Sequence, residues 1–77
     1  MDELTKLNDA VDIFAEKMKH RLAIKLKMGW VGWDDKRYQK VLRTKLMKNA
    51  TKLILGETHE SVDVANLAMM LYFLGGK

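Results

Sequence analysis

Between Val62 and Leu74, eleven of thirteen residues are apolar, and neither glycine nor proline interrupts them. A helix built from such a run is greasy around nearly its whole circumference, so it needs neighbours on every side. The chain has only 77 residues, and a chain of that size buries just ~60–65% of its unfolded surface. Two other helical segments are too few to cover the run. This predicts an all-α bundle completed by further copies of the chain, a dimer or tetramer with the third helix in the joint core. There is no cysteine, so neither disulfides nor thiolate-bound metals can take over that task.

Three stretches carry apolar residues at helical spacing, about 2–28, 36–55 and 59–74, within a single domain spanning 1–77. On the first, Leu4, Leu7, Val11, Phe14, Met18 and Leu22 form one apolar stripe. On the second, Leu42, Leu46, Ala50 and Leu53 fall on one side, with Met47 and Ile54 at its edge. Gly29 and Gly56 stand where helix C-terminal glycines belong. Asp34 or Asp35 is placed to cap the second helix and Thr58 the third, which closes at Gly75 and Gly76. The first corner reads KMGWVGWDD over residues 27–35 and holds both tryptophans. Trp30 and Trp33 either roof the bundle there or offer a ring on which a base stacks, worth ~1–3 kcal/mol.

The amino-terminal MDELTKLNDA is acidic and polar, unlike a signal peptide. The apolar run falls short of the ~20 residues that cross a bilayer. A cytoplasmic chain with no membrane partner is expected. Its net charge of +4 permits a polyanionic partner without requiring one.

Chemistry concentrates on the third helix. Glu60, Asp63 and Asn66 are spaced i, i+3, i+6, one polar line on an apolar cylinder. Two carboxylates at that spacing can share Mg²⁺, which wants oxygen ligands. Equally, acids in a first helical turn are favoured by the helix dipole, by ~0.3–1 kcal/mol each. Asn66 lies deeper, where an unpaired amide is costly, so it should bond another helix or a ligand. The second helix carries seven cations, Lys36, Arg37, Lys40, Arg43, Lys45, Lys48 and Lys52, and no acid lies between Asp35 and Glu57. Those cations either contact phosphates or form a solvated face. No helix-turn-helix, zinc-finger or RNA-binding aromatic pattern accompanies them. Glu16 and His20 form an i, i+4 pair on the first helix. No Ser-His-Asp or Cys-His arrangement and no glycine-rich phosphate loop is present.

Phe14-Ala15-Glu16-Lys17-Met18, Arg21-Leu22, the Gly-Trp turn and above all Val62-Asp63-Val64-Ala65-Asn66-Leu67-Ala68-Met69-Met70 resemble small phage and prophage proteins of the MazG-like type, within the all-α nucleoside triphosphate pyrophosphohydrolases. The likeness covers roughly residues 13–74. It implies a helical bundle, usually built by subunit association, that cleaves nucleoside triphosphates to the monophosphate and pyrophosphate. Two carboxylate pairs hold Mg²⁺ in such enzymes, an E-x-x-E on the middle helix and an E-x-x-D opening the next. The second pair is present as Glu60-Ser61-Val62-Asp63, and Asn66 extends its polar line. The first is absent, because residues 43–49 read RTKLMKN. Lys45 and Lys48 stand near where glutamates are expected and reverse the local charge.

The expectation is therefore a MazG-like nucleotide-binding protein with weak or degenerate pyrophosphohydrolase character. Glu60 and Asp63 would hold Mg²⁺, Lys45 and Lys48 would meet phosphates, and Asn66 would orient the carboxylates or the base. A helical interaction module without enzymatic activity is the alternative. A nucleic-acid binder using the basic helix comes third.

Overall fold

A computed structural model describes residues 2–75. Its three helices are α1 (Glu3–Lys27), α2 (Gln39–Ile54) and α3 (Ser61–Gly75), and the described residues contain no strand. Short 3₁₀ turns, Lys36–Tyr38 and Thr58–Glu60, lead into α2 and α3. The all-α architecture and the three segments follow the expectation to within a few residues. No helix among the described residues is long and apolar enough to cross a membrane.

Local chemistry fixes the ends. The Asp2 carboxylate accepts from the Thr5 N–H at 2.7 Å and caps α1. At the other end Gly29 has φ +90°, the Gly29 N–H bonds the Leu26 carbonyl, and the Trp30 N–H bonds the Lys25 carbonyl, both at 3.0 Å. This pair of bonds is a Schellman close, and glycine is the residue that reaches its left-handed position at little cost. The same close recurs after α2. Gly56 has φ +107°, the Gly56 N–H bonds the Leu53 carbonyl, and the Glu57 N–H bonds the Lys52 carbonyl.

The two expected N-caps fare differently. Asp35, not Asp34, caps the first corner: its carboxylate accepts from the Arg37 N–H at 2.9 Å and from the Arg37 guanidinium. Those hydrogen bonds, the guanidinium's foremost, hold the Asp35 carboxyl below its ordinary range. Thr58 does not cap α3. It lies inside a 3₁₀ turn whose preceding residue is Glu57, because the Schellman close at Gly56 leaves a single residue before that turn. Its carbonyl instead accepts from the Ser61 hydroxyl at 2.7 Å. Gly75 is still helical, and Gly76 lies outside the described residues.

α3 is the central helix, packed along α2 and, over a shorter stretch, against α1. The α1–α3 links pair Met18 with Asn66 and Arg21 with Asp63, so the two helices run antiparallel. Gly75 lies against Gln39, which sets the end of α3 beside the start of α2. Leu42, Leu67 and Met70 are the fully buried apolar residues, ringed by Leu22, Trp30, Trp33, Leu46, Met69, Leu71 and Leu74. Burial of α3 within the single chain is incomplete: Tyr72 and Phe73 remain exposed, their rings packed edge to face. The stripe on α1 is likewise only half used. Phe14, Met18 and Leu22 are partly covered, whereas Leu4 is 67% and Val11 63% exposed. The first three turns of α1 run past the end of the bundle, beyond the reach of the chain's own core.

Candidate functional site

The two Schellman closes and the caps just described determine where the polar residues meet. The fold-back at Gly29 returns Trp30 to the last turn of α1, where the Lys25 ammonium lies 5.3 Å from its ring centroid. α2 and α3 close the remaining sides. The result is a cleft of about 120 Å³ walled by Lys25, Trp30, Lys45, Lys48, Asp63 and Asn66, among others. Five of the seven residues expected at a site, Trp30, Lys45, Lys48, Asp63 and Asn66, thus converge from three elements.

Trp33 belongs to the adjoining cavity. That space, about 260 Å³, is lined by Trp30, Val31, Trp33, Tyr38, Val41 and Lys45, with others. Trp30 and Lys45 wall both spaces, so a cationic cleft opens beside an aromatic one. Neither alone reaches the ~300–1,000 Å³ typical of pockets that enclose a small organic ligand.

Asn66 is 4% exposed. Its amide nitrogen donates to the Met18 carbonyl at 3.3 Å, as expected for an amide inside an apolar helix. Its Oδ1 is buried and has no hydrogen-bond partner. Leaving such an acceptor unpaired costs about 1–3 kcal/mol, so a donor is wanted at that point.

The two carboxylates diverge. Asp63 accepts from Arg21 Nε at 3.1 Å and from its terminal nitrogen at 3.4 Å. Glu60, only 8% exposed, faces Lys52 Nζ at 3.8 Å and lies outside the cleft. One acid is thus turned to α1 and the other to α2, each toward a cation. Mg²⁺ requires several oxygens about 2.0–2.1 Å away in octahedral array. Here Asp63 is matched by Arg21, and Lys25, Lys45 and Lys48 share the cleft wall. This donor set fits a divalent cation poorly: beside four cationic side chains it offers one carboxylate already paired with Arg21 and one amide oxygen, that of Asn66.

Lys25 is the cleft residue that pattern reading passed over, and the pairing of Arg21 and Lys52 with the two carboxylates was not foreseen. Lys25 had a signal. A Schellman close at Gly29 necessarily folds residue 30 back onto residue 25. Arg21 and Lys52 had none of that strength, because their partners lie on other helices. Beyond Asp63 a wider groove of about 650 Å³ runs between α1 and the start of α3, lined by Ile13, Glu16, His20, Arg21, His59 and Asp63 together with further residues. It is larger than the cleft, but Arg21 and Asp63 spend their charge on each other there. The smaller cleft is the better candidate because its polar groups converge. No family model, curated protein or solved structure matches the chain.

Proposed function

We propose that the chain binds a nucleotide, a MazG-like bundle that retains the ligand class and not the metal centre. The observation that carries this reading is the junction at Trp30 and Lys45 between the lysine-walled cleft and the aromatic cavity. Phosphates enter the cleft, where Lys45 and Lys48 neutralise them, and the base lies against Trp33 and Trp30. Because Lys25 sits over the Trp30 ring, Trp33 offers the freer aromatic surface. A ligand N–H or O–H meets the buried Asn66 Oδ1. The test is a titration of tryptophan fluorescence with canonical dNTPs and NTPs, with pyrophosphate release assayed on the same samples. Saturable quenching with a dissociation constant in the micromolar range is expected. No spectral or calorimetric response to any nucleotide would overturn the proposal.

The exposed stripe on α1 favours a second element of the reading, assembly with another copy. A compact monomer of this mass exposes about 4,800 Å², whereas this chain exposes 6128 Å². Its radius of gyration is 13.8 Å, against about 11.5 Å for a compact chain of equal length. The surplus surface exceeds the ~800 Å² that one partner contributes to a standard interface. Leu4, Leu7, Val11, Phe14 and Met18 step by three and four residues, the spacing of a coiled-coil seam. An antiparallel pair of α1 helices centred on Val11 sets Glu3 against Lys19 and Lys6 against Glu16, which suits a two-fold dimer. Light scattering should therefore give twice the chain mass at micromolar concentration, and Leu7→Glu with Val11→Glu should give the monomer. A monomeric wild type, or a double variant that stays dimeric, rules this interface out.

A further inference from the structure

From the cleft's charge we infer that it takes its polyphosphate as the free anion, with lysines in place of a divalent cation, so that Mg²⁺ competes for the ligand instead of assisting it. This rests on the nucleotide-binding reading above and concerns the form in which the ligand is bound.

The wall of the cleft holds Lys25, Lys45 and Lys48, and its one carboxylate, Asp63, is ion-paired with Arg21 at 3.1 Å. The second acid of the polar line, Glu60, is directed to Lys52 and lies outside the cleft. A polyphosphate entering this space meets ammonium groups on α1 and α2 with no carboxylate free to bridge through a metal. Charge-assisted hydrogen bonds from ammonium to phosphate supply what a metal would otherwise supply. Chelation by Mg²⁺ cancels much of a triphosphate's charge and surrounds it with tightly held water. The chelate therefore loses attraction to the lysines and brings a hydrated cation into a cleft of about 120 Å³.

The role of Asp63 has the opposite sign in the two modes. If metal bridged ligand and protein, losing the carboxylate would weaken binding. With direct lysine contact, Asp63 is the one repulsive group in the wall, and its removal strengthens the attraction. The conservative variant Asp63→Asn keeps an acceptor for Arg21.

The experiment is calorimetry on the full chain with ATP and with inorganic tripolyphosphate, in EDTA and in millimolar Mg²⁺ at constant ionic strength. Affinity for ATP is expected to be about tenfold or more higher in EDTA. Asp63→Asn should tighten binding in EDTA by about threefold to tenfold. Arg21→Gln, which leaves the carboxylate uncompensated, should weaken it and narrow the gap between the two buffers. Circular dichroism confirms that each variant is folded. Affinity equal or higher in Mg²⁺, or weaker binding by a folded Asp63→Asn, overturns the inference and leaves nucleotide binding intact. Absence of binding in both buffers overturns the two together.

Discussion

Replacing Met70 by alanine is expected to lower stability by about 2–5 kcal/mol and the midpoint of thermal unfolding by roughly 10 °C or more. Met70 is 1% exposed and, among the described residues, shares the fully buried apolar core with Leu42 and Leu67. A chain of this length has a total stability of only about 4–12 kcal/mol, so one cavity there removes much of it. The flexible thioether packs where α3 faces α2, and the surrounding helices cannot close the gap without breaking their own contacts. Met47, 74% exposed on the outer face of α2, is the matched control, and Met47→Ala should change stability by no more than about 0.5 kcal/mol. Urea and thermal unfolding followed by circular dichroism read both variants. Protein concentration must be held fixed, because association of the folded chain adds a mass-action term. A loss below about 1 kcal/mol for Met70→Ala would place the centre of the core elsewhere.

Those two methionines also show what the sequence could and could not reveal. Helical spacing put Leu42 on the covered side of α2, where it falls, because period decides which face a residue occupies; Met47, expected at the edge of that side, lies on the exposed face instead. Gly29 and Gly56 were legible for the same local reason: a positive φ at the end of a helix selects glycine, and each closes with the bonds that geometry requires. Period does not tell how far a face is covered. Leu4, Leu7 and Val11 belong to the same stripe as Met18, yet they stay exposed, because how closely a neighbouring helix follows a face is set by tertiary packing. The candidate site divides along the same line. The i, i+3, i+6 spacing of Glu60, Asp63 and Asn66 put them on one line, and Asn66 does reach across to Met18. What each carboxylate faces depends on which helix lies opposite, and Arg21 and Lys52 are set by tertiary packing that no local pattern encodes. A shared pair for a metal was therefore the natural expectation, and two separate ion pairs are what the packing produces.

Charge reversal at Lys45 and Lys48 is the other change with a large expected effect. Both residues wall the cleft, and Lys45 also walls the aromatic cavity. Each charge-assisted bond to a phosphate contributes about 1.5–3 kcal/mol. Lys45→Glu with Lys48→Glu removes two such donors and faces the phosphates with carboxylates, so nucleotide affinity should fall at least about 100-fold, or roughly 2.7 kcal/mol. Both side chains are exposed on α2, so the fold should persist, and the melting curve checks that it does. The informative comparison is Lys36→Glu with Lys40→Glu, which alters net charge equally at exposed positions outside the cleft. Long-range attraction alone is screened over about 8–10 Å at ordinary ionic strength, so this second variant should lose no more than a few-fold. The contrast also separates a nucleotide site from a nucleic-acid surface. Among the cations of the basic helix and its lead-in turn, Arg37 and Lys52 already face Asp35 and Glu60, which breaks any continuous phosphate-binding stripe. If both double variants weakened binding to the same degree, and the loss tracked salt concentration, the affinity would belong to the diffuse positive face of α2, and the cleft at Trp30 would have no part in it.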